Sequence, residues 1–556
     1  MTQVSATAAA WMRRTTRAPG LLGASAIVVA ALLAFPILSV LAAVFQPSSH
    51  AGWEMVRETL PRYLGNTVLL MIGVTWGVVS IGVLSAWLVT AYRFPGQRIL
   101  EWALMLPLAM PAYVMAYAYT DWLQFAGPVQ GTLRALTGWE AREYWFPEVR
   151  SIWGAAAMLS FALYPYVYLI ARTSFLDLSR SAFEAARLAG CPPWQSFFRV
   201  AVPLARPAIA AGTALALMEA LADFGTVSYF AVDVFTTGIF KAWFSMGDPV
   251  AAAQLSSCLL VFVVLLLAQE RAMRGRAAYH AGPRKPAPPH PLRGLAAALA
   301  FAACAAPVFF GFVVPVAVLL NLALGDPSLR WGTRVFTLIG NSATLAALTA
   351  AAAVGLALLL AYAARLRPVP LVRLAARSAA LGYAIPGAVI AVGVLVPLGR
   401  LDNALAALIE RVAGIETGLL LTGTVAALVF AYLVRFLAIA LQTVEAGLTK
   451  IKPSMEDAAR SLGEAPAGTL RRVHVPLLAP SLATAGLLVF VDVMKELPAT
   501  FALRPFNFDT LAVEAYHLAK DERLAEAALP SLVIVAVGLL PLLVLTRRLL
   551  RRAPGA

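Results

Sequence analysis

Long apolar stretches dominate this sequence and limit what the chain can fold into. A helix that crosses a lipid bilayer needs about 20 apolar residues, and we count twelve such stretches among the 556 residues. With 60% hydrophobic and 13% charged residues and a mean hydropathy of +0.78, the composition excludes an ordinary soluble protein. The predicted fold class is an all-α integral membrane protein with about 12 transmembrane helices in two homologous halves.

Short polar loops separate most of the predicted spans. The basic start of the chain, with Arg13, Arg14 and Arg17 before the first apolar run, indicates a spanning helix that is retained and not a cleavable signal. The predicted spans lie near residues 21–45, 64–92, 99–121, 151–172, 207–231, 250–269, 294–321, 338–362, 374–399, 417–441, 480–502 and 526–546.

A polar helical segment interrupts the apolar pattern twice. Residues 181–190, the first repeated segment, read S-A-F-E-A-A-R-L-A-G; residues 454–463, the second repeated segment, read S-M-E-D-A-A-R-S-L-G. In each copy a serine stands three residues before an acid, Glu184 or Asp457, which is the pattern of a capping box. The final glycine of each copy can end a helix in the left-handed conformation. Helix ends alone do not explain why the segment occurs twice.

The duplication extends well beyond these two segments. Asn66 and Asn341 begin corresponding helices, and Pro111 and Pro386 interrupt corresponding ones, at an offset of 275 against 273 for the repeated segments. One duplicated domain with a two-residue gap accounts for both offsets. A duplication of this kind implies a pseudo-twofold axis along the membrane normal, with a pathway at the interface between the halves.

The predicted domain boundaries follow the duplication. The segment R-K-P-A-P-P-H-P cannot be helical and is too polar to be buried, so it belongs to a linker. The boundaries are 1–59 for the N-terminus and first spanning helix, 60–270 for the first domain, 271–293 for the basic linker, 294–334 for an extra spanning helix, 335–548 for the second domain and 549–556 for the tail.

The distribution of Lys and Arg sets the predicted orientation. With the N-terminus in the cytoplasm, both repeated segments, the linker and the tail are also cytoplasmic. By our count about 30 of the 44 Lys and Arg residues then lie on that side, as the positive-inside rule requires. We therefore predict that both termini are cytoplasmic. The same rule explains the net charge of +15 without nucleic acid as a partner.

Carboxylates within the predicted spans are a third repeated feature. Glu219 and Asp223 follow the first repeated segment, and Asp492 and Glu496 follow the second, with Lys495 beside them. The i, i+4 spacing predicts that each pair shares a helix face, and burying such charges costs about 2.5–3.5 kcal/mol each. Two interpretations stay open. Either Lys495 neutralises a carboxylate in structural polar contacts, or the four carboxylates line a path for a cation such as Fe(III) or a polyamine.

Motifs for nucleotide binding, catalysis and stable metal binding are absent from the sequence. There is no G-x-x-x-x-G-K-[ST] loop and no Gly-Lys dipeptide, so the chain lacks a P-loop for ATP. Three cysteines without C-x-x-C spacing and five scattered histidines, His474 among them, give no ligand pattern. We therefore predict that the chain is not an enzyme and holds no cofactor and no stable metal.

The repeated segments resemble a known family motif. Glu-Ala-Ala followed after three residues by Gly is similar to the EAA loop of membrane permease subunits of bacterial ABC importers, the MetI-like, binding-protein-dependent family. In that family the loop is a coupling helix that docks into a cytoplasmic ATPase. The resemblance implies ATPase contacts at Glu184, Ala185, Ala186, Gly190, Asp457, Ala458, Ala459 and Gly463, with Asp457 in place of Glu.

Four further runs are similar to the fused permeases of ferric-iron importers. They are E-A-L-A-D-F-G-T-V-S-Y-F at 219–230, F-T-T-G-I-F-K-A-W at 235–243, K-E-L-P-A-T at 495–500 and R-P-F-N-F-D-T-L-A at 504–512. The resemblance implies a type I importer permease in the bacterial inner membrane. Its partners would be two copies of an ATPase, which alone uses ATP and Mg, and a periplasmic binding protein that delivers ferric iron.

Alternatives to ferric iron remain open at this point. Thiamine and polyamine permeases share parts of these runs, and a secondary transporter driven by an ion gradient also has internal repeats and midplane carboxylates. The aromatic residues of the two predicted outer loops are equally open, since they suit either a binding protein or the membrane-surface belt. These residues are Phe235, Phe240, Trp243, Phe244, Phe506 and Phe508.

Overall fold

The computed structural model describes residues 20–47, 50–140, 143–178, 190, 193–274, 289–325, 332–366 and 369–551. Within these ranges, eleven helices are long and apolar enough to cross a membrane. The number is twelve if the pair Gln97–Ala109 and Ala112–Thr137, bent by 93°, counts as one span. The predicted all-α membrane fold is confirmed. In lipid a helix satisfies its own backbone hydrogen bonds, so these apolar stretches fold as helices.

The first half of the chain contains eleven described α-helices and one strand. They are α1 (Gly20–Ala43), α2 (His50–Ala91), β1 (Tyr92–Arg93), α3 (Gln97–Ala103), α4 (Ala112–Leu123), α5 (Pro128–Thr137), α6 (Ile152–Leu176), α7 (Pro193–Ser196), α8 (Val202–Ala222), α9 (Gly225–Tyr229), α10 (Phe235–Phe240) and α11 (Pro249–Arg274).

The second half begins with a two-residue strand and continues with twelve described α-helices. They are β2 (His290–Pro291), α12 (Gly294–Val308), α13 (Val314–Gly325), α14 (Thr333–Leu366), α15 (Pro370–Ala379), α16 (Gly387–Ala413), α17 (Val425–Leu448), α18 (Pro453–Ser461), α19 (Pro466–Thr469), α20 (Val475–Met494), α21 (Pro498–Leu503), α22 (Leu511–Lys520) and α23 (Leu524–Arg551).

Helix contacts divide the chain into two compact units, and each unit draws on both sequence halves. Unit A takes its described residues from 48–332 and 511–556, and unit B from 1–47 and 333–510. In unit B, α1 packs against α14, α15 and α16. In unit A, α23 packs against α13 and α4. The units therefore differ from the predicted sequence domains, which describe the duplication and stay a prediction.

The duplicated prolines break corresponding helices, as predicted. Pro111 precedes α4 and Pro386 precedes α16, each with extended backbone at ψ 140. Each follows a short 3-10 turn, Leu106–Ala109 or Gly382–Ala384. Proline has no backbone N–H and disfavours helical backbone in the residue before it, so both helices stop at this point.

Regular secondary structure extends into both ends of the predicted linker. Helix α11 continues to Arg274, four residues into the range 271–293. At the other end, β2 pairs in parallel with β1, with His290 opposite Tyr92. The backbone N–H of Leu292 then donates to the carbonyl oxygen of Arg93 at 2.8 Å. Residues 275–288 lie outside the described residues.

Candidate functional site

The second repeated segment forms the short helix α18, which ends at Ser461. Gly463 follows it with φ +83. The N–H of Gly463 donates to the carbonyl oxygen of Arg460, and the N–H of Glu464 to that of Ala459, both at 3.0 Å. These two bonds form a Schellman motif. The predicted helix-ending role of Gly463 is confirmed.

The predicted serine cap at the start of this helix is wrong. Lys452 is the N-cap residue and makes no side-chain cap hydrogen bond, while Ser454 lies inside the first turn. Pro453 occupies the first helical position. A proline suits that position because its φ is already helical and the N–H it lacks has no partner there. Because the helix already begins at Pro453, Ser454 lies within the first turn and cannot be the N-cap residue.

One face of α18 is exposed and carries residues that the family motif singles out. The Asp457 side chain is 68% exposed, and Ala458 is exposed beside it. Two large apolar side chains, Met455 and Leu462, are exposed as well. The Arg460 side chain, 70% exposed, lies 3.6 Å from Asp457. The helix therefore presents a mixed apolar and charged surface, whereas Ala459 is buried.

Sequence reasoning missed the residues that hold this helix in place. Glu456 points inward, where it contacts Arg365 and the buried His474. In the sequence, Arg365 only adds to the positive charge on the predicted cytoplasmic side, and His474 is a histidine without ligand spacing. An acid and a base near the ends of neighbouring apolar stretches were the available signal, but a single sequence does not show that they meet.

The first repeated segment lies mostly outside the described residues. This applies to Glu184, Ala185 and Ala186, whose predicted ATPase contacts stay a prediction. Gly190 is described and has φ +75, with no atom within 4 Å of where a Cβ would lie. Its predicted left-handed conformation is confirmed.

The predicted arrangement of the intramembrane carboxylates needs correction. Helix α8 ends at Ala222 and α20 at Met494, so Asp223 and Glu496 lie past the helix ends. The i, i+4 spacing therefore does not place each pair on one helix face. In each unit the long helix is interrupted here, and a short helix, α9 or α21, follows the interruption. We call these two interruptions the helix breaks.

Asp223 caps the short helix that follows the first break. Its Oδ1 accepts hydrogen bonds from the backbone N–H groups of Thr226 at 3.0 Å and Val227 at 3.2 Å. Its Oδ2 accepts one from the Thr226 hydroxyl at 3.0 Å. The carboxylate thus satisfies N–H groups that a helix start leaves without intrahelical partners.

Glu496 makes the equivalent contacts at the second break. Its carboxylate accepts hydrogen bonds from the N–H groups of Ala499 and Thr500, both at 2.9 Å, and from the Thr500 hydroxyl at 2.6 Å. Nη1 of Arg435 lies 3.4 Å from Oε1, and the two side chains are 9% and 2% exposed. Structural polar contacts therefore account for this buried carboxylate.

The remaining charged residues of the two breaks lie closer to their surfaces. Nζ of Lys495 is 2.8 Å from Oδ1 of Asp492, and both side chains are half-buried. This is the neutralising pair that the first interpretation requires. Glu219 is half-buried on α8, one turn before Asp223.

The aromatic residues of the two predicted outer loops divide into two groups. Phe235 and Phe240 are buried in unit A, so they are packing residues and do not reach a partner. Phe244 is 52% exposed and Phe506 is 93% exposed. Trp243 and Phe508 are half-buried. The surface available for docking is therefore smaller than the sequence suggested.

No group of three or more His, Cys, Asp or Glu side chains that could hold a metal ion occurs in the part of the chain that the structure describes. The two cysteines described there, Cys258 and Cys304, are both free thiols.

Comparison with known proteins gives one family match and three relatives, two of which align with nearly the whole chain. Residues 78–274 match the family of binding-protein-dependent transport system inner membrane components. An Fe(3+)-transport system permease protein of Haemophilus influenzae is 27% identical over 94% of this chain and 97% of its own length. A probable ABC transporter permease of Sinorhizobium fredii is 25% identical over 95% of both chains. A sulfate transport system permease of Escherichia coli is 28% identical over 46% of this chain and 91% of its own.

Proposed function

We propose that this chain, a binding-protein-dependent inner membrane component and the permease subunit of an ABC importer, moves ferric iron into the cytoplasm. The chain is a multi-pass membrane protein and a transport subunit, not an enzyme. One observation carries the substrate proposal: similarity to the Haemophilus influenzae Fe(3+) permease extends over nearly the whole of both chains. The sulfate permease aligns with less than half of this chain.

The exposed face of α18 is the proposed docking site for one ATPase. It carries Asp457 and Ala458 between exposed Met455 and Leu462, a combination of apolar anchors and a charge that suits a protein interface. We propose that residues 181–190 dock a second copy of the same ATPase. ATP and Mg would be used by those subunits alone.

The proposed orientation follows from the repeated segments. If they meet cytoplasmic ATPases, both termini are cytoplasmic, as the positive-inside rule also indicates. The loops with Phe244 and Phe506 then face the periplasm, where a binding protein would dock. Their exposure supports this proposal.

We propose that the translocation path passes the helix breaks. Asp223 and Glu496 hold the two breaks through their capping contacts. Glu219, Asp492 and Lys495 are the charged side chains beside the breaks that lie nearer the surface of their units. Hard carboxylate oxygens suit transient contact with Fe(III). Broken helices at midmembrane are where transporters commonly place such contacts.

Reconstitution with the ATPase and a binding protein tests the proposal. ATP hydrolysis and uptake are measured with the binding protein empty or loaded with Fe(III), sulfate, thiamine or a polyamine. Stimulation and uptake with the iron-loaded form alone support ferric iron. Stimulation by another loaded form replaces the substrate but retains the importer.

A further inference from the structure

An inward-facing carboxylate holds the second repeated segment against unit B. The Glu456 side chain on α18 is 14% exposed. Its Oε1 accepts a hydrogen bond from Nε of Arg365 at 2.5 Å and lies 3.1 Å from Nε2 of His474. Arg365 is 19% exposed, so both charges lie largely out of water. Removing one of them would leave the other poorly compensated, and the pair therefore favours a single arrangement.

Arg365 connects this carboxylate to two further points of the fold. Its guanidinium also donates to the backbone carbonyl oxygens of Leu448, at the end of α17, and of Ile451 at 2.7 Å. The planar guanidinium makes several hydrogen bonds in a fixed geometry, which a lysine cannot copy. One side chain from α14 therefore fixes the end of α17, the turn after it and α18.

His474 connects α18 to the broken spanning helix. It is fully buried in the π-helical turn Leu470–His474, directly before α20. Its ring packs edge-on against Tyr362, with centroids 5.2 Å apart. The Tyr362 hydroxyl in turn donates to the carbonyl oxygen of Pro466 at 2.7 Å. A displacement of α18 therefore acts directly on the start of α20, whose other end is the break before Glu496.

The first half of the chain lacks the residues for this contact. The positions that correspond to Glu456 and His474 at the 273 offset, and to Arg365 at the 275 offset, are Phe183, Ala201 and Thr90. None of them can carry a charge. Trp87 corresponds to Tyr362. Its ring packs against the rings of Phe175 and Phe197, with centroids 5.5 and 5.3 Å apart.

We infer that Glu456, held by Arg365 beside the ring of His474, positions the second coupling helix, and that the two ATPase contacts of this permease are therefore unequal. The ATPase at residues 454–463 acts on the membrane helices through the pair of Glu456 and Arg365. The counterparts of these two residues on the side of the other ATPase, Phe183 and Thr90, carry no charge. This inference rests on the proposed function, in which residues 454–463 dock an ATPase.

Hydrogen exchange of the purified chain without ATPase tests the anchor. The variants are Glu456→Gln, Arg365→Gln and the double variant, with Glu464→Gln as the control because Glu464 pairs with the exposed Arg472 instead. We expect exchange of the α18 amides to rise roughly tenfold or more in each anchor variant. The double variant should match Arg365→Gln, as for two members of one contact. Unchanged exchange in Glu456→Gln overturns the anchor.

Crosslinking in the complete complex tests the inequality. Single cysteines replace Leu462 and its counterpart Ala189 in a background without the native cysteines, and each is crosslinked to the ATPase. Glu456→Gln should lower the yield from position 462 severalfold and leave position 189 unchanged. Equal losses at both positions overturn the inequality. If the chain with native Glu456 crosslinks at neither position, the proposed ATPase docking fails, whatever the exchange experiment shows.

Discussion

The side-chain amide of Asn341 donates to the backbone carbonyl oxygen of Asp509 at 3.0 Å. In the other unit, Asn66 donates in the same way to Asp233 at 2.8 Å. Each donor lies on the spanning helix that opens its repeat, and each acceptor lies in the loop after a broken helix. The two halves therefore share this specific hydrogen bond as well as their sequence pattern.

Replacing Asn341 with alanine should destabilise unit B. The carbonyl oxygen of Asp509 loses its side-chain donor, a change that costs about 1–3 kcal/mol when the group stays buried. The apparent melting temperature of the purified protein measures this effect. Asn403→Ala is the matched control, because Asn403 is exposed on α16. Equal melting temperatures for the two variants would contradict a stabilising role for the contact.

Much of the fold could be predicted because its signals are local. Apolar stretches of spanning length fold as helices wherever they occur in lipid. Pro111 and Pro386 interrupt helices for steric reasons that do not depend on neighbours. Gly463 adopts a left-handed φ because the end of its own helix requires it. These predictions needed no knowledge of which helices are in contact.

Predictions that depended on a distant partner, or on two local preferences in competition, were less successful. The face-sharing pairs were wrong because Asp223 and Glu496 cap the following helix. The serine cap was wrong because Pro453 started the helix first. The packing of α1 in unit B and of α23 in unit A also has no local signal, since it joins segments hundreds of residues apart.

Glu496→Gln should destabilise the protein far more than Asp492→Asn. Glu496 is almost fully buried, accepts three hydrogen bonds and faces Arg435, and breaking such a buried pair costs about 3–5 kcal/mol. Asp492 and Lys495 are half-buried, so removing that charge costs less. The fraction of protein that stays monodisperse after graded heating measures both.

The same two variants also separate structure from transport. If Glu496 acted only as an ion ligand, Glu496→Gln would be as heat-resistant as the unmodified protein and would lose uptake alone. Asp492→Asn should retain its stability, so a change in its iron uptake reports on the path. Uptake must be normalised to the amount of folded protein in the membrane.

Substitutions at Gly463 should follow backbone conformation and not side-chain size. The φ of +83 disfavours residues with a Cβ, while the space around Gly463 is open. Alanine should cost about 1 kcal/mol, asparagine less, and the β-branched valine most. Co-purification of the ATPase should therefore fall in the order Asn, Ala, Val. Gly355→Ala, which lies in open space within α14, should leave it unchanged.

Phe506→Ala should change the response to the binding protein, whereas Phe240→Ala should change stability. The Phe506 ring is 93% exposed and the Phe240 ring 7%. Removing the buried Phe240 ring leaves a cavity and costs about 3–5 kcal/mol, which lowers the melting temperature. Removing Phe506 should leave the melting temperature unchanged and reduce the stimulation of ATP hydrolysis by the loaded binding protein. Basal ATP hydrolysis, measured without binding protein, should not change. If Phe506 belongs to the membrane-surface belt instead, Phe506→Ala will retain full stimulation, since the periplasmic partner never contacts that ring.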